Sequence, residues 1–139
     1  MVLGEHGFSS GEARSRTQID LPGLQQEFLE EIYKINPNIV LVLNNGRPLA
    51  ISWAAEHVPA IVEAWQLGTE TGNAVAQVLF GDYNPAGRLP ITFYKSIQQL
   101  PDYEDYSMKG RTYRFMTETP LYPFGYGLSY TRFSYGKAT

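Results

Sequence analysis

The chain holds 139 residues, the length of one domain, which excludes two full catalytic domains and a closed (β/α)₈ barrel of about 250 residues. With 43% hydrophobic and 18% charged residues it has the apolar material for a packed core and too few charges for a disordered segment. A net charge of -3 gives no general attraction for nucleic acid or an anionic membrane, and the absence of cysteine removes disulfides, thiolate metal sites and a thiol nucleophile.

In chain order, Met1 to Gly4 reads as the end of a strand running into a glycine turn, not as a signal peptide. A chain that opens inside a strand is expected to be part of a longer reading frame. The loop Gly4 to Arg16 is long, polar and glycine-rich. Pro22 suits the first turn of a helix, and Leu24, Phe28, Leu29, Ile32 and Tyr33 then form an amphipathic stripe ended by Asn36-Pro37-Asn38. The run Ile39 to Leu43 has the pattern of a strand covered on both faces, and is the longest apolar run, far short of a membrane span. Asn44 to Pro48 is a turn, and Leu49 to Trp53 is expected to resume extended structure. Ala60 to Trp65 reads as a buried strand, Thr71 to Phe80 as a helix stopped by Gly81, and Leu89 to Tyr94 as a further strand.

Strands alternating with single helices give the α/β class with a mostly parallel sheet, in which ligands sit beyond the carboxyl ends of the strands. That rule directs attention to the loops Gly4 to Arg16, Asn44 to Pro48 and Trp65 to Gly72. After Lys95 the chain changes character. The last 45 residues hold 10 of the 19 aromatic residues and 6 of the 11 basic ones, which marks off 95–139 as a tail expected to wrap the sandwich part, 1–94.

The first loop carries Glu5, His6, Glu12, Arg14 and Arg16. Glu12 lies between Gly11 and Ala13, small neighbours that let a substrate approach. It reads either as a catalytic carboxylate or as a surface carboxylate paired with Arg14 or Arg16, which would hold it ionised unless they point elsewhere. Glu5 is expected to hydrogen-bond loop amides. His6 and His57 have no metal-ligand spacing, and His57 reads as a satisfied surface or boundary residue. Ser9 and Ser10 lack a nucleophile elbow. Gly68 to Gly72 lacks the ending of a phosphate loop and reads as a glycine turn with a threonine cap. Tyr122, Phe124, Tyr126 and Tyr130 form either a sugar-stacking platform or, the plainer reading, a structural cluster sealing the sheet. No cofactor or metal is expected.

GEHGFSSGEARSR, TQIDLPGLQQEFLEEIY, NGRPLA, LFGDYNPAGRLP and YPFGYGLSYT, in this order, resemble the C-terminal α/β sandwich domain of glycoside hydrolase family 3, as in bacterial β-glucosidases and β-xylosidases. The resemblance spans essentially the whole chain. It departs at Leu67 to Gly72, where the family usually shows Pro-Gly-x-Glu-Gly-Gly. It implies a three-layer αβα sandwich, truncated at its N-terminal side, with an irregular aromatic-rich tail. It also implies part of a retaining, exo-acting β-glycosidase, β-glucosidase first, that removes terminal β-linked sugars from oligosaccharides or glycosides. Such chemistry needs two carboxylates about 5–5.5 Å apart. In the family the nucleophile is an aspartate on a separate N-terminal barrel, and a loop of the sandwich delivers the acid/base glutamate. That glutamate falls on Glu12 here, with Glu5 as its rival. The barrel domain is thus the implied partner, the chain alone is expected to be inactive, and an exposed sheet edge leaves room for homo-oligomers. A periplasmic or secreted full-length enzyme is implied. The alternative is a carbohydrate-binding or interaction module that keeps the fold without catalysis.

Overall fold

The computed structural model describes residues 1–137. Strands β1 (Val2–Gly4), β2 (Val40–Asn44) and β3 (Ala60–Glu63) form a parallel sheet in the order β1-β2-β3. Parallel neighbours need crossovers, and these contain helices α1 (Gln25–Ile35) and α2 (Ser52–His57). Helix α3 (Thr71–Phe80) follows β3, and a single turn of helix, α4 (Thr112–Phe115), lies in the tail. This is the α/β architecture with a parallel sheet that the alternation of elements predicts. Positions 138 and 139 of the expected tail lie outside the described residues.

β2 is central because its residues suit burial on both faces: Leu41, Val42 and Leu43 are all buried. Leu41 and Leu43 join Leu29, Leu49, Ile51, Ala54 and Val58 in one apolar cluster, with Ile32 and Tyr33 packed against it. The apolar stripe of α1 is therefore wider in sequence than the face it buries. Leu29, Ile32 and Tyr33 meet the core, while Leu24 and Phe28 lie about 100° round the helix from Leu29 or further and are exposed.

Register fixes the carboxyl-end rim of the sheet. Gly4 sits opposite Asn44 and Leu43 opposite Glu63, so Glu5 and Asn45 leave the sheet side by side, with Ala64 next to Asn44 on the third strand. Gly4 has φ +138°, and a Cβ there would collide with the Asn44 carbonyl, so no larger residue fits this approach of β1 to β2. On the free side of β1, the Gln25 side-chain amide accepts from the Gly4 N–H (2.7 Å) and donates to the Gly4 carbonyl (2.9 Å). Part of an otherwise open strand edge is closed in this way.

Three local expectations fail, and the buried strand expected at Ala60 to Trp65 is met in part: β3 is half-buried, with Ala60 exposed. Residues 52–57 are helical where extended structure is expected as far as Trp53; Ile51, Ala54 and Val58 supply a buried spacing of three and four residues that a five-residue window misses. Leu89 to Tyr94 is not a strand of the sheet. Pro90 has no N–H to give a ladder, and the segment instead makes one antiparallel bridge, Phe93 to Tyr122, with Leu89 donating to the Tyr126 carbonyl at 2.8 Å. Thr71 does not cap α3: its hydroxyl donates to the Gly68 carbonyl (2.6 Å), and a 3₁₀ turn at Gly68–Glu70 runs directly into the helix.

Candidate active site

The first loop leaves β1 at Gly4 and turns back at Gly11, where the Arg14 N–H donates to the Gly11 carbonyl at 3.2 Å. Gly11 (φ +132°) and Ala13 (φ +57°) flank Glu12, so the carboxylate stands on a tight tip whose alanine occupies a left-handed conformation. An L residue other than Asn or Asp pays for that conformation, at about 1–2 kcal/mol. Glu12 is exposed, and among the described residues no side chain pairs with it. Both arginines that sequence offers as its partners are engaged elsewhere. The Arg14 guanidinium lies 5.3 Å from the centre of the Phe8 ring and donates to the Phe8 carbonyl (2.6 Å); the Phe8 ring also stacks on His6. Arg16 binds Glu5.

Glu5 is the opposite of Glu12. Its side chain is 0% exposed and sits between two guanidiniums that are themselves mostly covered, Arg16 at 21% and Arg47 at 20%. Arg16 Nη1 donates to Glu5 Oε1, and Arg47 Nε lies 3.4 Å from Glu5 Oε2. Among the described residues the expected bonds from loop amides to the Glu5 carboxylate are not formed, and the amide tie at this residue is its own N–H, which donates to the Asn44 carbonyl at 2.8 Å. The reason is charge: Arg16 donates a charge-assisted hydrogen bond to Oε1, and Arg47 adds attraction across 3.4 Å, although its Nε and Glu5 Oε2 have no hydrogen-bond partner among the described residues. Buried between two cations, Glu5 is a poor candidate to reach a substrate.

At the same rim, Glu63 receives hydrogen bonds from the Trp65 N–H (3.2 Å) and Asn45 Nδ2 (3.4 Å), both of which favour its charged form. Burial outweighs them and pushes its pKa up to about 7. Sequence reading passed over Glu63 and Arg47. A lone acid inside the apolar run Ala60 to Trp65, and an arginine in the turn directly after a buried strand, are the signals that mark them.

The remaining candidates contact neighbouring rings or the backbone, and Phe124 and Tyr126 keep 53% and 40% of their surface exposed. His6 accepts from the Phe8 N–H (3.2 Å), while the His57 ring stacks on Trp53 at 4.4 Å with Nδ1 2.8 Å from the Trp53 carbonyl. Among the described residues no group of three metal-ligating side chains converges. In the tail, Tyr122 stacks on Tyr126 at 4.6 Å and Tyr113 on Phe124 at 5.8 Å, so these rings cover one another's faces. Tyr130 stands exposed.

Comparison with known proteins shows the family. The model of the glycosyl hydrolase family 3 C-terminal domain matches residues 1–130. A xylan 1,4-β-xylosidase of Xylanibacter ruminicola is 52% identical over 138 residues, covering 99% of this chain and 16% of that protein. A periplasmic β-glucosidase of Salmonella typhimurium is 45% identical over 150 residues, covering 99% of this chain and 20% of its own length. The β-glucosidase of Kluyveromyces marxianus, solved in complex with glucose, superposes with a TM-score of 0.83 at 35% identity, over 94% of this chain and 17% of that one. The chain thus spans no more than about a fifth of the relatives it matches. Matched along 130 of its 139 residues, it belongs to the C-terminal domain family of the family 3 glycosyl hydrolases.

Proposed function

We propose that the chain supplies the general acid/base of a retaining β-glycosidase acting on terminal β-linked glucose or xylose, and that Glu12 is that group. The observation that carries this reading is the contrast within one loop: Glu5 is buried between two arginines, whereas Glu12 is presented, unpaired, on a tight tip beyond the carboxyl ends of the strands. In the first step Glu12 protonates the departing glycosidic oxygen as a carboxylate nucleophile attacks the anomeric carbon. In the second, the resulting glutamate takes a proton from the water that releases the sugar. The acid step needs a protonated carboxyl, which burial against a second surface favours. No part of the described chain covers Glu12, so the sugar and a nucleophile-bearing barrel outside this chain supply that cover. Relatives named as β-xylosidases and as a periplasmic β-glucosidase support the substrate class and a periplasmic or secreted enzyme.

The test uses two proteins. The 139-residue chain alone is expected to release no nitrophenol from aryl β-glucoside or β-xyloside. Placed in the Xylanibacter enzyme in exchange for its matching 138-residue segment, it should give an active hybrid. Glu12→Gln in that hybrid should lower kcat for alkyl glycosides, which need protonation, by about 10²–10⁴-fold. Full activity of the Glu12→Gln hybrid on alkyl glycosides would refute the assignment. Undiminished sugar binding without turnover in the unsubstituted hybrid would favour the binding-module reading.

A further inference from the structure

We infer that Glu5, acting through Arg16 and Arg47, is the positioning residue that holds the Glu12 tip in place; this rests on the acid/base reading of Glu12. The tip has no packing of its own, since residues 11–15 are all exposed. What holds it lies on either side. Before the tip, Arg47 Nη2 donates to the Ser9 carbonyl while its Nε faces Glu5 Oε2 at 3.4 Å. After the tip, Arg16 Nη1 donates to Glu5 Oε1 while its Nη2 donates to the Asp20 carbonyl at 3.1 Å. One buried carboxylate therefore ties residue 9 and residue 16 to the same point, and that point is fixed to the sheet by the Glu5 N–H on the Asn44 carbonyl. The turn after β2 adds a steric wall. A Cβ on Gly46 would collide with the Ser10 side chain, two residues from Glu12, so the loop rests directly on that turn.

Neither arginine works alone. Without the carboxylate, two guanidiniums would face each other across a buried space, and repulsion would drive the two ends of the loop apart. A displacement of about 1 Å in a proton-transferring group can cost about a hundredfold in rate. The charge on Glu5 thus sets where Glu12 stands, without Glu5 touching the substrate.

Two readouts separate positioning from general stability. In the full 139-residue chain, tryptic cleavage after Arg14, in the tip, should quicken in Glu5→Gln at least tenfold more than cleavage after Lys34, in α1, which reports loss of the fold as a whole. In the hybrid enzyme, Glu5→Gln should lower kcat for alkyl glycosides about 10–100-fold with KM within about twofold, because the sugar contacts are untouched while the proton donor is misplaced. The basic limb of its pH–rate profile should persist, since Glu12 is still present, whereas Glu12→Gln should abolish that limb. If Glu5→Gln fails to fold, Arg16→Lys keeps the charge but loses the two-armed contact, and should show the same pattern at smaller amplitude. Cleavage after Arg14 that quickens no more than cleavage after Lys34, together with unchanged kcat in a folded variant, would overturn the inference. If Glu5→Gln loosens the loop but Glu12→Gln leaves turnover intact, the acid/base reading fails and the clamp stands as a structural feature only.

Discussion

A single carboxylate changes role with its surroundings, and this loop holds both extremes within eight positions. Glu5 is enclosed and doubly paired; Glu12 is open and unpaired. Removing one member of a buried ion pair strands the other, so Glu5→Ala should destabilise the fold by about 3–5 kcal/mol, against less than about 0.5 kcal/mol for Glu12→Ala, as read by urea denaturation. Glu63 gives a third case. Its folded pKa of about 7 lies above the ordinary value of 4.5, so between these limits the folded form keeps a proton that the unfolded chain has lost. Stability from this group is full below about pH 4.5 and is lost as pH rises through about 7, at about 1.4 kcal/mol per unit and ~3 kcal/mol in all. Denaturation midpoints taken from pH 5 to 8 should fall in the wild type and stay flat for this group in Glu63→Gln. A midpoint slope that survives the substitution would assign the effect to another residue.

Among the elements, β2 and the glycine beside it set the frame on which the loop is mounted. Leu43 is fully buried in the main cluster, and Leu43→Ala should cost about 2–5 kcal/mol. Gly4→Ala demands a Cβ at φ +138° against the Asn44 carbonyl, so it should cost more than about 2 kcal/mol despite adding only a methyl group. A urea midpoint within experimental error of wild type for Gly4→Ala would contradict the close approach of β1 to β2. These elements were legible in sequence because their signals are local: the apolar run at Ile39 to Leu43, the stripe of α1 and the glycine stop after α3. Failures occurred where the deciding partner is distant. Leu89 to Tyr94 looks like a strand until Pro90 is set against a tail segment some thirty residues on. The exposed side of α1 likewise depends on what the sheet leaves room for. The candidate site was half legible. A carboxylate on a polar loop after a strand stood out, but the clamp did not, because Arg47 is 42 residues from Glu5 and only the parallel register of β1 and β2 brings them together.

At the scale of the whole molecule, much apolar surface lies open. Val2 and Val40, on the sheet face opposite the main cluster, are 67% and 40% exposed, and Tyr103, Tyr106, Phe133 and Tyr135 stand out along the tail. Large exposed apolar surfaces mark contact sites or association liabilities. The chain on its own should therefore associate as concentration rises, seen as a sedimentation coefficient that grows across the micromolar range, while a hybrid carrying the relative's remaining length should not. A chain that stays monomeric at every concentration would remove that expectation. In the proposed reaction Glu12 is the proton donor, and a surface outside the described residues brings the sugar and the nucleophile to it. Azide rescue of the Glu12→Gln hybrid tests that claim most directly. With a dinitrophenyl glycoside the first step needs no acid, and a glycosyl-enzyme intermediate should accumulate for want of a base. Azide needs no deprotonation, so it should restore turnover and yield a glycosyl azide of retained β configuration. Absence of rescue, or an α-configured product, would contradict Glu12 as the acid/base of a retaining enzyme.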